Sequence, residues 1–323
     1  MRLSIIIPSY NPNPADLLGL LASIRIQLAV DFEGVEVIIV NDAGAPLPKG
    51  LCGMFSPLKI RKIDRTKRGG PGMARQSGID AAQGEYVMFC DADDTLHNVG
   101  VLSAIRIELE QGDHPDILLT KWIEEVRQKD GTYIYTTHDA DWTWMHGKVI
   151  RRDFIASSGV RHHPELLVHE DSYFLNVLSS HSPKVRSCDV ISYVWRWHDG
   201  SITRRNSSEY SFKSLPYFLH AVSLADAEIL KIDPALMPER IAYRACYIYH
   251  LLGSPEWRLK EHAADRQATE EAFRKEVSPF WNYWKEAPEG VKQSVYHATM
   301  GFSCGAIPDE SLSGWLKRIG MED

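Results

Sequence analysis

The 323-residue chain has no uninterrupted apolar stretch approaching the about 18 residues that a membrane-spanning helix needs. Its apolar run "LSIIIP", from Leu3 to Pro8, is also too short for the core of a signal peptide, so a soluble, cytoplasmic chain with no stable membrane span is expected. Cysteine is scarce. The five thiols (Cys52, Cys90, Cys188, Cys246 and Cys304) are scattered, odd in number and never in C-x-x-C spacing, which supports neither a disulfide framework nor a structural zinc site. An excess of positive charge is missing too: the formal net charge is −7, which argues against a protein built to coat nucleic acid or an anionic membrane. There is no internal repeat, low-complexity tract or long Gly/Ser linker, and the apolar (44%) and charged (24%) fractions are those of ordinary soluble chains, so neither a solenoid nor a disordered protein is indicated. The length suits one large domain or two smaller ones.

What is present is an alternation of buried strands and helices. "LSIIIP" reads as a strand covered on both faces, and Leu17, Leu21, Ile24 and Leu28 after it fall on one helical face with Pro14 in the first turn. "VEVIIVND" (Val35 to Asp42) and "LKIRKI" (Leu58 to Ile63) read as the next strands. A glycine-rich loop then opens a helix over 73–82, and "EYVMFCDADD" is the fourth strand. Strands alternating with helices of about ten residues imply βαβ units, a mainly parallel sheet, and ligands bound at the carboxyl ends of its strands. Beyond Gly112, two strand-like runs flank Asp130-Gly131, a hairpin signal, and from about Glu209 the sequence becomes helical and rich in aromatics (Tyr243, Tyr247, Tyr249, Trp257, Phe280, Trp281, Trp284). This change of pattern places a boundary between a region 1–208 and a helical region 209–323.

The polar strand ends carry the chemical signal. Ser9-Tyr10-Asn11, Asn41-Asp42 and Asp91 to Asp94 each follow an apolar run. Three aspartates in four positions repel one another, so a divalent metal, nearby arginines or open water must balance them. Alternation along an extended chain would point Asp91 and Asp93 the same way, as Mg²⁺ or Mn²⁺ binding requires; the competing reading is that one aspartate caps the next helix and the others are solvated.

Taken in order, "SIIIPSYNP", "VIIVNDAG", "GMARQSGIDAAQGEYVMFCDADD", "HGKVIRRDFI" and "HEDSYF" resemble family 2 glycosyltransferases of the GT-A fold, over roughly the first 205 residues. The resemblance implies a GT-A α/β domain with a Rossmann-like sheet, a nucleotide-sugar donor of the UDP-sugar kind, Mn²⁺ or Mg²⁺, and inversion at the anomeric carbon. It implies that residues 1–100 form the nucleotide-sugar-binding half and 101–208 the acceptor-side half. Region 209–323 then serves acceptor recognition or self-association into a homo-oligomer. Carried over by residue, Pro8, Tyr10 and Asn11 would hold base and ribose, and Asp42 would contact the base, although Asn41-Asp42-Ala43-Gly44 departs from the usual D-D-G-S. Arg75 matches the arginine of the A-R-N-x-G helix start, with Gln76 in place of asparagine. Asp91 would face ribose or metal-bound water, Asp93 would ligate the metal, and His198 in "YVWRWHDGSITRR" would be a further metal ligand. Arg204 and Arg205 would neutralise the departing diphosphate. Asp171 of the Glu170-Asp171 pair is the expected general base, with Glu170 as the other candidate or an orienting group. Lys148 matches a family lysine of no assigned role.

Six basic residues between Lys59 and Arg68 suggest either phosphate binding or, more often for such runs, a solvated strand edge. The acceptor is open at this level: a glycan, a lipid-linked glycan, a protein or a modified nucleic acid would each suit. Two other functions share these features. One is a non-catalytic nucleotide-sugar or glycan binder of the same fold, and the other a metal-dependent nucleotidyltransferase releasing pyrophosphate.

Overall fold

The computed structural model describes residues 2–139, 141–199, 201 and 207–321. Its contacts divide the chain into two compact units, 1–201 and 202–323. The first contains β1 (Leu3–Ser9), α1 (Pro14–Arg25), β2 (Val35–Asn41), α2 (Leu51–Met54), β3 (Lys59–Asp64), α3 (Gly70–Ala81), β4 (Tyr86–Phe89) and β5 (Thr95–Leu96). It continues with α4 (Val101–Glu110), β6 (Ile117–Arg127), β7 (Tyr133–His138), β8 (Lys148–Arg151), α5 (Arg152–Ser158), α6 (Glu170–Ser179) and β9 (Val185–Trp195).

All nine strands join one sheet in the order β3-β2-β1-β4-β8-β6-β9-β5, with β7 on β6. β1, β2, β3 and β4 are parallel, as the alternation of strands and helices requires, while β8 runs antiparallel to both β4 and β6, so the sheet becomes mixed beyond β4. β1 lies between β2 and β4 and every one of its seven residues is buried, the setting its apolar run demands. The expected hairpin forms between β6 and β7, closed by the turn through Asp130-Gly131.

Helix α1 begins where Asn13 Oδ1 accepts the Ala15 N–H at 3.0 Å and Pro14 fills the first turn. It ends at Arg25, so Leu28, expected on its apolar face, lies beyond it and is 62% exposed. Helix α3 starts three residues earlier than its small-residue pattern indicates, because Gly70 at φ 81° lets the glycine loop turn directly into it. α3 packs closely on the sheet, since a Cβ at Gly78 would overlap the Ile6 side chain.

The second unit is helical: α7 (Ser207–Ile232), α8 (Met237–Leu252), α9 (Ala263–Val277), α10 (Trp281–Glu286), α11 (Glu289–Thr299) and α12 (Leu312–Arg318). Its aromatics serve chiefly as core, with Tyr249, Trp257, Phe280, Trp281 and Trp284 buried, whereas Tyr243 is 44% exposed. Asp226 on α7 is fully buried and accepts from Arg240 Nε at 2.9 Å and from Arg244, both on α8. Among the described residues no helix is long and apolar enough to cross a membrane.

Two helical glycines, one packed on the sheet and one with open space beside it, give opposite expectations for the same substitution. Gly78→Ala should lower stability by about 1–3 kcal/mol through overpacking against Ile6. Gly19→Ala, inside α1 with open space around the new methyl, should raise it by up to about 1 kcal/mol. Urea unfolding midpoints of the two variants test both signs.

Candidate active site

The parallel strands place their carboxyl ends side by side, with Ser9 of β1 opposite Asn41 of β2. Pro8 lies within β1, and Tyr10 follows it 45% exposed, its ring covered by the Arg68 guanidinium at 4.0 Å from the centroid. Asn11 adopts a left-handed backbone (φ 47°) and its Oδ1 accepts the Ala45 N–H at 2.7 Å, joining the loops after β1 and β2. Asp42 is 2% exposed. It accepts Arg65 Nη1 at 2.6 Å, the Gly70 N–H at 2.7 Å and the Gly69 N–H at 3.1 Å, and so fixes the glycine loop that opens α3. Much of the basic run is matched internally: Lys59 pairs with Glu33, Arg61 with Glu36, Lys62 with Asp64 and Arg65 with Asp42.

The aspartate cluster is a turn, not an extended strand end. β4 stops at Phe89 and the Asp94 N–H donates to the Asp91 carbonyl at 3.2 Å, so period-two alternation does not set the directions of Asp91 and Asp93. Asp94 is buried and accepts the Tyr193 hydroxyl and, at 2.7 Å, the Arg196 N–H, while the same hydroxyl receives the Asp91 N–H at 3.0 Å. Asp94 therefore anchors the turn to β9. Burial pushes the Asp94 carboxyl well above the ordinary aspartate value, and the charges of Asp93 and Asp91 push it further. The Asp93 carboxyl is raised as well, by burial and then by Asp91, with His198 opposing.

One arginine spans the site. Arg75, on α3 and buried, donates Nη1 to Glu170 Oε1 at 2.6 Å and Nη2 to Asp91 Oδ1 at 2.8 Å. It thus joins the turn after β4 to the start of α6, where Glu170 and Asp171 stand side by side. The approach depends on Gly72, where a Cβ would lie 2.8 Å from Glu170 Cγ. Glu170 is buried, and desolvation together with Asp171 pushes its carboxyl up, against the pull of Arg75. Asp171 accepts the Ser172 N–H at 2.8 Å and is partly exposed. Burial raises its carboxyl above the ordinary aspartate value, and the Arg75 charge offsets only part of that. Gln76, in place of the expected asparagine, faces the scaffold: its Oε1 accepts the His162 N–H and its Nε2 donates to Asp80, both at 2.9 Å.

His198 reaches the aspartate turn through the backbone, its Nε2 lying 2.6 Å from the Asp93 carbonyl oxygen and its Nδ1 3.6 Å from Asp16 Oδ2. Among the described residues no three His, Cys, Asp or Glu side chains converge as a preassembled metal cage. The donor set nonetheless fits Mg²⁺ or Mn²⁺. Asp91 and Asp93 repel each other beside a partly desolvated surface, and such cations take one or two carboxylates and complete their shell with water and phosphate oxygens. Arg204 and Arg205 lie outside the described residues. Arg65, Arg68 and Asp16 are site-forming residues that the motifs do not mark; the basic run contains the first two, but nothing in its spacing singles them out.

Comparison with known proteins bears on the family resemblance and the fold. Residues 4–114 match the family model for glycosyl transferase family 2. The glycosyltransferase YwdF of Bacillus subtilis is 35% identical over 134 residues, which cover 41% of this chain and 46% of that protein. The poly(ribitol-phosphate) beta-N-acetylglucosaminyltransferase TarS of Staphylococcus aureus is 31% identical over 126 residues, 38% of this chain and 21% of that protein. The chain spans less than half the length of the curated relatives it matches. In three dimensions, the 1–349 fragment of S. aureus TarS in complex with UDP-GlcNAc aligns over 94% of this chain and 89% of that one, with a TM-score of 0.67 at 18% identity. The mannosyltransferase PcManGT of Pyrobaculum calidifontis, in complex with GDP-Man and Mn²⁺, aligns over 99% and 83% with a TM-score of 0.50 at 14% identity. The fold is therefore GT-A, with a helical C-terminal region.

If Arg75 is the shared counter-ion of the site, Arg75→Met should lower stability by about 3–5 kcal/mol by leaving Glu170 buried beside Asp171 without it. Adding Glu170→Gln should recover part of that loss. A double-mutant cycle by chemical denaturation checks it, and strictly additive losses would show that the two side chains are not coupled.

Proposed function

We propose, from the premise that residues 4–114 are a family 2 glycosyltransferase segment, that the protein is a metal-dependent inverting glycosyltransferase acting on a nucleotide-diphosphate sugar of the UDP-sugar kind. The observation that carries this reading is the Arg75 clamp, which holds Asp91 of the aspartate turn and Glu170, the neighbour of Asp171, on the two arms of one guanidinium. A donor-side carboxylate and an acceptor-side carboxylate pair are thereby fixed within one side chain's span, as a single displacement at one carbon requires.

In this reading Pro8, Tyr10, Asn11 and the loop held by Asp42 cradle the nucleotide, and Asp91 and Asp93 are the residues that would hold Mn²⁺ or Mg²⁺. A bound divalent cation supplies Lewis-acid stabilisation of the leaving phosphate. Asp171 takes the proton from the acceptor hydroxyl while that oxygen bonds to the anomeric carbon and the bond to the diphosphate oxygen breaks, which releases the nucleoside diphosphate and inverts the carbon. Arg75 holds Glu170 in place beside the base. Arg204 and Arg205 belong to the diphosphate side of the same reading. Residues 1–208 form the catalytic region, with 1–100 toward the donor and 101–208 toward the acceptor; 209–323 contributes acceptor recognition or self-association. Five free thiols fit a cytoplasmic setting.

The test is release of UDP when the chain is incubated with UDP-sugars and Mn²⁺, first with water as acceptor. UDP as product supports the transferase; release of pyrophosphate instead would identify a nucleotidyltransferase, and no release a binder. Calorimetry with UDP should show binding in Mn²⁺ that falls steeply in EDTA, since the diphosphate otherwise meets Asp91 and Asp93 unscreened. Equal affinity in both would remove the metal.

Asp171→Asn should leave UDP affinity nearly unchanged and reduce transfer on the order of 10²- to 10⁴-fold. Because the base must be ionised and its pKa is raised, activity should be lost as pH falls through a value above the ordinary 3.8 of aspartate. A kcat/KM profile whose acid limb lies at or below that value would contradict the assignment.

A further inference from the structure

The chain leaving β9 meets several carboxylates, and one of them belongs to no motif. Arg196 gives its main-chain N–H to Asp94 Oδ1 at 2.7 Å and Trp197 gives its own to Glu125 Oε1 at 3.0 Å, so the backbone entering His198 is held at two successive residues. His198 then directs Nε2 to the Asp93 carbonyl oxygen at 2.6 Å. Its other nitrogen, Nδ1, faces Asp16 Oδ2 at 3.6 Å, while the second oxygen of the same carboxylate, Oδ1, stands 3.9 Å from Arg196 Nη1. Asp199, the next carboxylate along the chain, is instead turned to Trp197 Nε1 at 3.0 Å and Arg127 Nη1 at 3.3 Å.

Asp16 lies in the first turn of α1, where a carboxylate is favourable on its own account because it meets the positive end of the helix. That role asks nothing of the surroundings, and a solvated side chain would serve it. Here the side chain is only 16% exposed, and α1 is already capped by Asn13. A further negative charge beside a turn with three aspartates also adds repulsion. The Arg196 guanidinium and His198 Nδ1, which face the two oxygens of Asp16, give the carboxylate a reason to stand there. Both belong to the segment that joins the end of β9 to the aspartate turn.

We propose that Asp16 is a positioning residue of the donor site: it holds the His198 imidazole by Nδ1, so that Nε2 faces the aspartate turn where Asp91 and Asp93 would hold Mn²⁺ or Mg²⁺. A histidine that ligates a metal through one nitrogen usually gives the N–H of the other to a carboxylate, which fixes the tautomer and the direction of the ring and makes it a better ligand. Asp16 stands where that carboxylate is needed. The Asp93 carbonyl cannot take its place, because it occupies Nε2, the nitrogen a cation would need, whereas Asp16 leaves that nitrogen free. The inference rests on the metal-dependent reading and adds to it a residue that acts through His198.

Calorimetry of the full chain with UDP, in Mn²⁺ and in EDTA, measures how much the metal adds to UDP affinity. That gain should fall about tenfold or more in Asp16→Asn, the usual range for losing the carboxylate behind a metal-bound histidine, while UDP affinity in EDTA stays unchanged. His198→Ala should lower the gain at least as far, and Asp16→Asn added to it should lower it no further, because the carboxylate acts through the ring. Asparagine keeps the shape of aspartate, and thermal midpoints in EDTA check folding; Asp16→Ala, which introduces a strong helix former, should give the same result by a second route. An unchanged gain in both Asp16 variants, an equal loss of UDP affinity in Mn²⁺ and in EDTA, or a loss that adds to that of His198→Ala overturns the role of Asp16. The wild-type chain separates the two readings. If it gains nothing from Mn²⁺, the metal-dependent reading falls and the role of Asp16 with it; if it gains and the Asp16 variants gain as much, the positioning role alone falls.

Discussion

The site depends on one ion pair network more than on any other contact. Arg75 must be buried to reach Asp91 and Glu170 together, and burial would penalise its charge were it not for the carboxylates it meets. Remove the arginine and α6 would begin with two neighbouring carboxyl groups pressed against a helix; remove the carboxylates and a guanidinium is left in the core. Each group is tolerable only because the others are present, which is the usual condition for charge inside a protein. The same interdependence fixes the spacing between the aspartate turn and the Glu170-Asp171 pair, because a planar two-armed group sets both distances at once.

Much of this was legible in the sequence, and the reasons differ from part to part. β1 and β2 announce themselves because β-branched apolar residues dominate a strand covered on both faces, and the hairpin because Asp130-Gly131 suits a tight turn. Strand ends, being where apolar runs stop, located Tyr10, Asn11, Asp42 and the aspartate cluster without any knowledge of neighbours. The directions of Asp91 and Asp93 were not readable, since a turn rather than a strand carries them and a main-chain hydrogen bond decides that. Nor was the partner of Arg75: residues 75 and 170 are brought together by α3 crossing the sheet, and local pattern holds no trace of that crossing. Arg65 and Arg68 were visible only as members of a charged run, most of which turns out to be matched by carboxylates nearby.

Glycine has a similar double character here. At Gly70 a left-handed backbone is the requirement, and a sequence reader can anticipate a glycine before a helix. At Gly72 and Gly78 the requirement is space, against Glu170 and Ile6, and it exists only once the helix has been laid on its neighbours. The helix of small residues is therefore a consequence of where α3 must lie, close enough to the sheet for Arg75 to bridge it.

The loop between β3 and α3 is held in place by Asp42 through the main-chain N–H groups of Gly69 and Gly70. Main-chain donors are supplied by nearly every amino acid, so the shape of this loop makes little demand on Thr66 and Lys67. Those two positions can therefore change while the loop keeps its path. What the loop presents to solvent is thereby uncoupled from the shape of its backbone, so side-chain chemistry at residues 66 and 67 can vary without cost to the fold.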